Sequence, residues 1–242
     1  MSHLSALIAS LGRDDPDFSV GRRPGGGRSS AVLALISEEG NDIVLTRRPL
    51  SLRHHAGQVA LPGGRAENTD ETIVDTALRE AHEEVGLDRR LVTVRGVLPT
   101  AHVAASGSDV TTVIATWSGA GTVGVVDPAE VAMVQRVRLA DLANPAARAT
   151  TRHPSGYRGP AFVLPDIFVW GFTAHVLDAL LDRGGWSRPW DRERMVEIPE
   201  GYLGARRLPE GTTPMTFLEV RAACLDGCII KQRPSHITVG EP

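Results

Sequence analysis

The stretch Glu71 to Val85 places two opposed demands on one helix, and any fold for this chain has to meet both. At about 100° per residue, Val74, Leu78, Ala81 and Val85 gather on one face, which has to be buried. Glu80, Glu83 and Glu84 fan across another face at spacings i, i+3 and i+4. Like charges so placed destabilise a helix by a few tenths of a kcal/mol per pair. Asp70 or Thr69 is the expected N-cap, and Gly86 supplies a left-handed stop. A cation removes the repulsion, and clustered oxygen ligands suit Mg²⁺ or Mn²⁺, hard ions that accept carboxylates, water and substrate phosphates together. A bare E-x2-E-E is more often a solvated acidic face, so the surroundings decide. Pro62-Gly63-Gly64 lies just upstream, where backbone can approach a ligand closely. Arg79 adjoins Glu80 and can orient a carboxylate through its fork.

Around that helix the pattern is one of strands. Ala31 to Ser37 is a continuous apolar run, and Ile43 to Thr46 follows a polar turn. Gln58 to Leu61 reads as a short strand stopped by Pro62. Leu91 to Leu98, Val110 to Trp117 and Val131 to Leu139 read as further strands, and Val169 to Leu181 as a second long helix. The order is not a regular βαβ repeat, which favours an α+β fold with a mixed sheet. The expected organisation is an amphipathic helix within residues 1–20, with Leu4, Leu7, Ile8 and Leu11 at helical spacing. A Gly/Pro-rich connector over 21–30, a main domain over 31–183 and a C-terminal extension over 184–242 complete it. The extension has no clear period, though Trp186, Pro189 and Trp190 point to packing there.

A chain of 242 residues with a formal net charge of −3 can bury a sizeable core and has no basic surface for general nucleic-acid binding. Its two cysteines, Cys224 and Cys228, form neither a disulfide framework nor a zinc site, which makes a reducing cytoplasm the default. No apolar run approaches a membrane span, and the N-terminus lacks the features of a signal peptide. The expected protein is therefore soluble and cytoplasmic, without nucleic-acid or membrane partners. The apolar face of the first helix leaves two options open, pairing of subunits in a homodimer or capping of the sheet.

The segment from Gly63 to Leu87 resembles the Nudix box, G-x5-E-x7-R-E-U-x-E-E-x-G-U with U apolar. Its second half, R-E-A-x-E-E-V-G-L, matches at every defined position. Counted back from Arg79, the opening glycine of the motif falls on Arg65, one place after Gly64, so this chain has one extra residue before the helix. Either Asp70 or Glu71 then fills the early acidic position, which in the family is mainly structural. The resemblance implies a Nudix-type α/β/α sandwich around a mixed sheet, and hydrolysis of a nucleoside diphosphate linked to another group. By the same resemblance Glu83 and Glu84 bind metal, and Glu80 binds a second metal or acts as base toward the attacking water. A carbonyl of Gly63 or Gly64 completes the coordination, and Glu130 is the candidate for an acidic residue from a later strand or loop.

Upstream, V-L-T-R-R-P-L-S-L-R-H-H-A-G-Q-V-A-L-P-G-G (Val44 to Gly64) is similar to the coenzyme A pyrophosphatase subgroup, whose signature is roughly L-L-T-x-R-S-x2-L-R-x-H-x-G-x-V-x-F-P-G-G. Pro49 replaces the usual Ser and Leu61 the usual Phe. Pro160 to Ala174 also looks like that subgroup. The resemblance implies Arg48, Arg53 and His55 as substrate-binding residues beside Gly63 and Gly64, while Arg47 and His54 read as solvated loop cations. Guanidinium forks suit coenzyme A, which carries a 3′-phosphate besides its diphosphate. The expected reaction is Mg²⁺- or Mn²⁺-dependent cleavage of coenzyme A or its thioesters to 3′,5′-ADP and 4′-phosphopantetheine or its acyl form. The alternatives are ADP-ribose, a dinucleotide or an oxidised nucleotide as substrate, and a nucleotide-sensing module without turnover. His82, Phe168 and Trp170 are expected to pack or to face solvent.

Overall fold

The computed structural model describes residues 2–11, 24–52, 54–119, 121–153, 156–199 and 202. Its centre is β1 (Arg28–Ser37), which runs parallel to β7 (Ser108–Trp117) in continuous register from Arg28↔Ser108 to Ser37↔Trp117. On the other side β2 (Asp42–Arg47) pairs antiparallel with β1, and then with β3 (Val59–Ala60) and β8 (Met133–Arg138). The short strand β4 (Gly63–Arg65) lies antiparallel on β1, with Gly63 opposite Val32. β5 (Val92–Val97) and β6 (Ala101–Val103) pair antiparallel with β7. The sheet is therefore mixed.

Alternation along β1 builds two cores from one strand. Leu33 and Leu35 pack with Ala77, Leu78, Ala81 and Val85 of α2 (Ile73–Val85), the apolar face read from the sequence. Ala34 and Ile36 point the other way. They pack with Leu7 of α1 (His3–Ser10) and with Ala174, Leu177, Leu180 and Leu181 of α4 (Gly171–Gly184). Helices thus cover both faces, and the fold is α+β with an α/β/α arrangement. The first helix spends its apolar face inside the chain. Leu7 is fully buried, His3 stacks on Trp186, and the Arg183 guanidinium donates to the Ser10 carbonyl.

β1 begins three residues earlier than the apolar run, inside the expected connector. Gly27 and Arg28 are already tied to Asp109 and Gly107, so pairing with β7 sets its start, not hydropathy. A second sheet was not read from the sequence. It contains β9 (Arg148–Arg152), β10 (Arg158–Val163), β11 (Phe168–Val169) and β12 (Met195–Val196), in the order β11-β10-β9-β12. The strand β11 replaces the expected start of α4, because Gly171 at φ 65° turns the chain before the helix begins. Both β12 and the buried residues Ile198 and Tyr202 come from the segment 184–242. The short helix α3 (Leu139–Leu142) follows β8. Among the described residues no helix is long and apolar enough to cross a membrane. Cys224 and Cys228 lie outside the described residues.

Because Leu33 is fully buried between β1 and α2, Leu33→Ala is expected to cost about 2–5 kcal/mol in chemical denaturation. A loss below about 1 kcal/mol would contradict this packing.

Candidate functional site

Thr72 caps α2, its hydroxyl accepting from the Asp75 N–H at 3.2 Å, in place of the Asp70 or Thr69 expected from sequence. The reason lies in what Asp70 does instead. Its carboxylate receives the Arg79 guanidinium through Nε (3.0 Å) and Nη2 (3.1 Å), the Thr76 hydroxyl at 2.9 Å and the Glu67 N–H at 2.9 Å. These donors hold the Asp70 carboxyl well below its usual range, the Arg79 bond first among them. Asp70, not Glu71, therefore meets the arginine. The extra residue before the helix is absorbed in the turn in which the Asp70 N–H donates to Glu67 O.

From that clamp Arg79 reaches forward. Nη1 donates to Glu80 Oε1 at 3.1 Å and to Glu83 Oε2 at 2.9 Å, and Nη2 donates to the Arg65 carbonyl at 2.8 Å. One guanidinium thus joins the loop before α2 to two of its carboxylates. Glu83 is exposed, whereas Glu80 is half-buried against Gly64. A Cβ at residue 64 would stand 2.4 Å from Glu80 Oε1, so only glycine lets the carboxylate lie on the loop.

Glu84 departs most from the sequence reading, being only 5% exposed at the margin of the α2 core. Its Oε2 accepts the Gly63 N–H at 3.1 Å. Burial pushes its carboxyl up to about 7, opposed by the Gly63 bond and the Arg48 charge and reinforced by Glu80 and Glu130. Glu80 is also raised, by burial first, with Glu83 and Glu130 adding to it and Arg79 opposing. Arg79 at Glu80, and Gly63 with Arg48 at Glu84, thus offset the effect of burial only in part.

Glu130 enters by a different route. The loop after β7 is fastened to the end of α2, where Gly124 and Val126 donate to the carbonyls of Val85 and Glu84. A turn closed on Asp127 then presents the exposed Glu130, whose charge is felt at both Glu80 and Glu84. On the opposite side, the Arg48 N–H donates to Gln58 O, and His55 is exposed with its ring bonded to Gln58. Arg53 lies outside the described residues. His82 is exposed, Phe168 is buried, and Trp170 stacks on His153.

Among the described residues no three carboxylate, imidazole or thiol groups stand as a finished metal-binding set. With Glu83 held on Arg79, the near pair is Glu80 and Glu84. That pair fits a hard divalent ion, since Mg²⁺ commonly takes one or two carboxylates and completes its shell with water and substrate phosphate. Burial raises the carboxyls of Glu80 and Glu84, and a cation held between them would favour their ionised forms.

Residues 27–158 match the model of the NUDIX domain family. An uncharacterised Nudix hydrolase of Photorhabdus laumondii, NudL, is 35% identical over 155 residues, covering 63% of this chain and 82% of that protein. NudL of Klebsiella pneumoniae is 36% identical over 169 residues, with 63% and 81% covered. NudL of Pectobacterium atrosepticum is 50% identical over 88 residues, 36% of this chain and 45% of that protein. Among solved structures, the chain is similar to a Nudix hydrolase from M. smegmatis, RenU, at 22% identity and a TM-score of 0.45, covering 71% of this chain and 91% of that one.

Two adjacent glycines give a test of the junction. A Cβ on Gly63 would stand 2.3 Å from the Ala31 carbonyl oxygen and 2.6 Å from Val32 Cα, both backbone, whereas at Gly64 the obstacle is a side-chain end that can swing away. In denaturant unfolding Gly63→Ala is expected to lose at least about 3 kcal/mol and Gly64→Ala less than about 1.5 kcal/mol. The reverse order would contradict the junction described.

Proposed function

The chain belongs to the Nudix family of diphosphate hydrolases, and on that premise we propose that it cuts coenzyme A or its thioesters with Mg²⁺ or Mn²⁺. The observation that carries this reading is one continuous stretch, Val44 to Gly64. In sequence it leads from the basic residues of the coenzyme A-type signature into the two glycines that touch Glu80 and Glu84.

The geometry supports one division of labour. Glu84, anchored on Gly63, is the fixed ligand for the ion, and Glu80 lies beside it over Gly64 as second ligand or as base toward water. Glu83 joins them by leaving Arg79, and Glu130 contributes from the loop tied to the end of α2. Arg79, itself fixed on Asp70, keeps the acidic face in place. Glu80 and Glu84 would hold a divalent ion there, which would supply charge neutralisation and an activated water. Arg48, Arg53 and His55 hold the phosphates of the substrate, and holding them aligns phosphorus with the attacking water. Water oxygen bonds to one phosphorus, the bridging P–O bond breaks, and the two products are 3′,5′-ADP and 4′-phosphopantetheine or its acyl form.

The test is hydrolysis of coenzyme A against ADP-ribose and diadenosine compounds, with Mg²⁺ and with Mn²⁺, resolving products by mass. Release of 3′,5′-ADP with preference for coenzyme A is expected. Glu84→Gln is expected to keep the fold and lose at least about a hundredfold in kcat. Turnover of another diphosphate in preference would retire the coenzyme A assignment. Ligand binding without turnover of anything would mark a sensing module.

A further inference from the structure

His55 combines three properties. It is exposed, it stands in the basic stretch that leads to the metal helix, and its backbone is left-handed at φ 57°. Among the described residues it is the one non-glycine residue with positive φ, a conformation that costs energy and has to be held by its surroundings.

Gln58 does the holding. Its backbone N–H donates to the His55 carbonyl at 3.2 Å, and its own carbonyl accepts the Arg48 N–H at 3.0 Å. Its side chain bonds at both ends. Nε2 donates to the Tyr202 carbonyl at 2.6 Å, and Oε1 lies 3.0 Å from His55 Nδ1. The direction of the second bond follows from the first. A carbonyl oxygen only accepts, so the end of the amide facing Tyr202 has to be the NH₂ group. The end facing His55 is then the oxygen, which only accepts, so His55 Nδ1 has to carry the proton. Nε2 is then the ring nitrogen left to a ligand; it donates to a phosphate oxygen as the imidazolium, in which both ring nitrogens carry protons and Nδ1–H stays on Gln58 Oε1.

The Tyr202 carbonyl is itself fixed. The Tyr202 N–H donates to Pro199 O at 2.9 Å, and its ring, 6% exposed, meets the edge of Phe168 in the cluster with Ala161 and Ile198. A chain of bonds therefore runs from the core of the second sheet to the basic loop at the mouth of the site.

We propose that Gln58 is a positioning residue for substrate binding: locked by the Tyr202 carbonyl, it fixes the plane and tautomer of His55 and turns Nε2 to the ligand. This rests on the reading of His55 as a substrate contact. It also makes the Tyr202 backbone a structural part of the site.

Nitrogen-15 NMR of the imidazole rings in the full-length protein tests the tautomer without any substrate. The neutral His55 ring is expected to carry its proton on Nδ1, and in Gln58→Leu it is expected to shift toward the Nε2-protonated form that free imidazoles favour. A wild-type ring protonated on Nε2 overturns the proposal, and that result stands even if the variant fails to fold. The second readout is a double-mutant cycle on whichever diphosphate the enzyme turns over. Gln58→Leu is expected to raise KM roughly tenfold with kcat nearly unchanged, the size of one lost charge-assisted hydrogen bond. In a His55→Leu background the same change is expected to add nothing. Additive effects of the two substitutions, or loss of kcat with KM unchanged, overturn the proposal.

Discussion

A buried carboxylate that accepts a backbone N–H holds this site together. Glu84 is drawn in at the edge of the α2 core and bound to Gly63, and Gly63 is itself registered opposite Val32 in the central sheet. The contact therefore ties the acidic helix to the strand on which both hydrophobic layers are built. Gly64 follows in the same strand and gives Glu80 its resting place. Arg79 closes the other side, with Asp70 behind it and Arg65 O below. Burial of Glu84 is unfavourable for its charge and is only partly offset by Gly63 and Arg48. A cation beside it would favour its ionised form.

Much of this was legible in the sequence because helical periodicity and glycine placement are local signals. Leu78, Ala81 and Val85 are buried as the wheel requires, and Gly86 stops the helix in the left-handed region at φ 70°. The burial of Glu84 was not legible, since i, i+3, i+4 spacing puts it among its acidic neighbours and says nothing of how far the sheet edge reaches. Asp70 and Glu71 were indistinguishable for a related reason. The choice depends on how the turn after Glu67 folds, and that is set by side-chain bonds to Thr76 and Arg79. The sign that a clamp rather than a cap was needed is the extra residue between the glycines and the helix.

The second sheet shows the same limit at longer range. β9 is short with an arginine at each end, and β10 opens on Arg-Gly-Pro, so neither alternation nor hydropathy marks them. β12 joins β9 from more than forty positions away along the chain, at Met195↔Thr150. Gln58 read only as the first residue of a strand, and its role depends on a carbonyl at Tyr202. The basic stretch is thus shaped from two directions, by the central sheet through Arg48 and by the C-terminal segment through Gln58.

The proposal that the buried carboxylate of Glu84 is a ligand for a divalent ion has a direct thermodynamic signature. A carboxyl raised from 4.5 to about 7 by folding keeps its proton in the native state after the unfolded chain has released it. Stability of the metal-free protein should therefore fall as pH rises between those two values and level off above them. His175, lowered by burial, works in the opposite sense, so the comparison with Glu84→Gln isolates the contribution of Glu84. The measurement is thermal unfolding of wild type and Glu84→Gln at pH 5 and pH 8, each with chelator and with Mn²⁺. The account predicts that metal-free wild type loses stability toward pH 8 relative to the variant, and that Mn²⁺ restores it in wild type alone. A wild type that parallels Glu84→Gln at both pH values and ignores Mn²⁺ would contradict it.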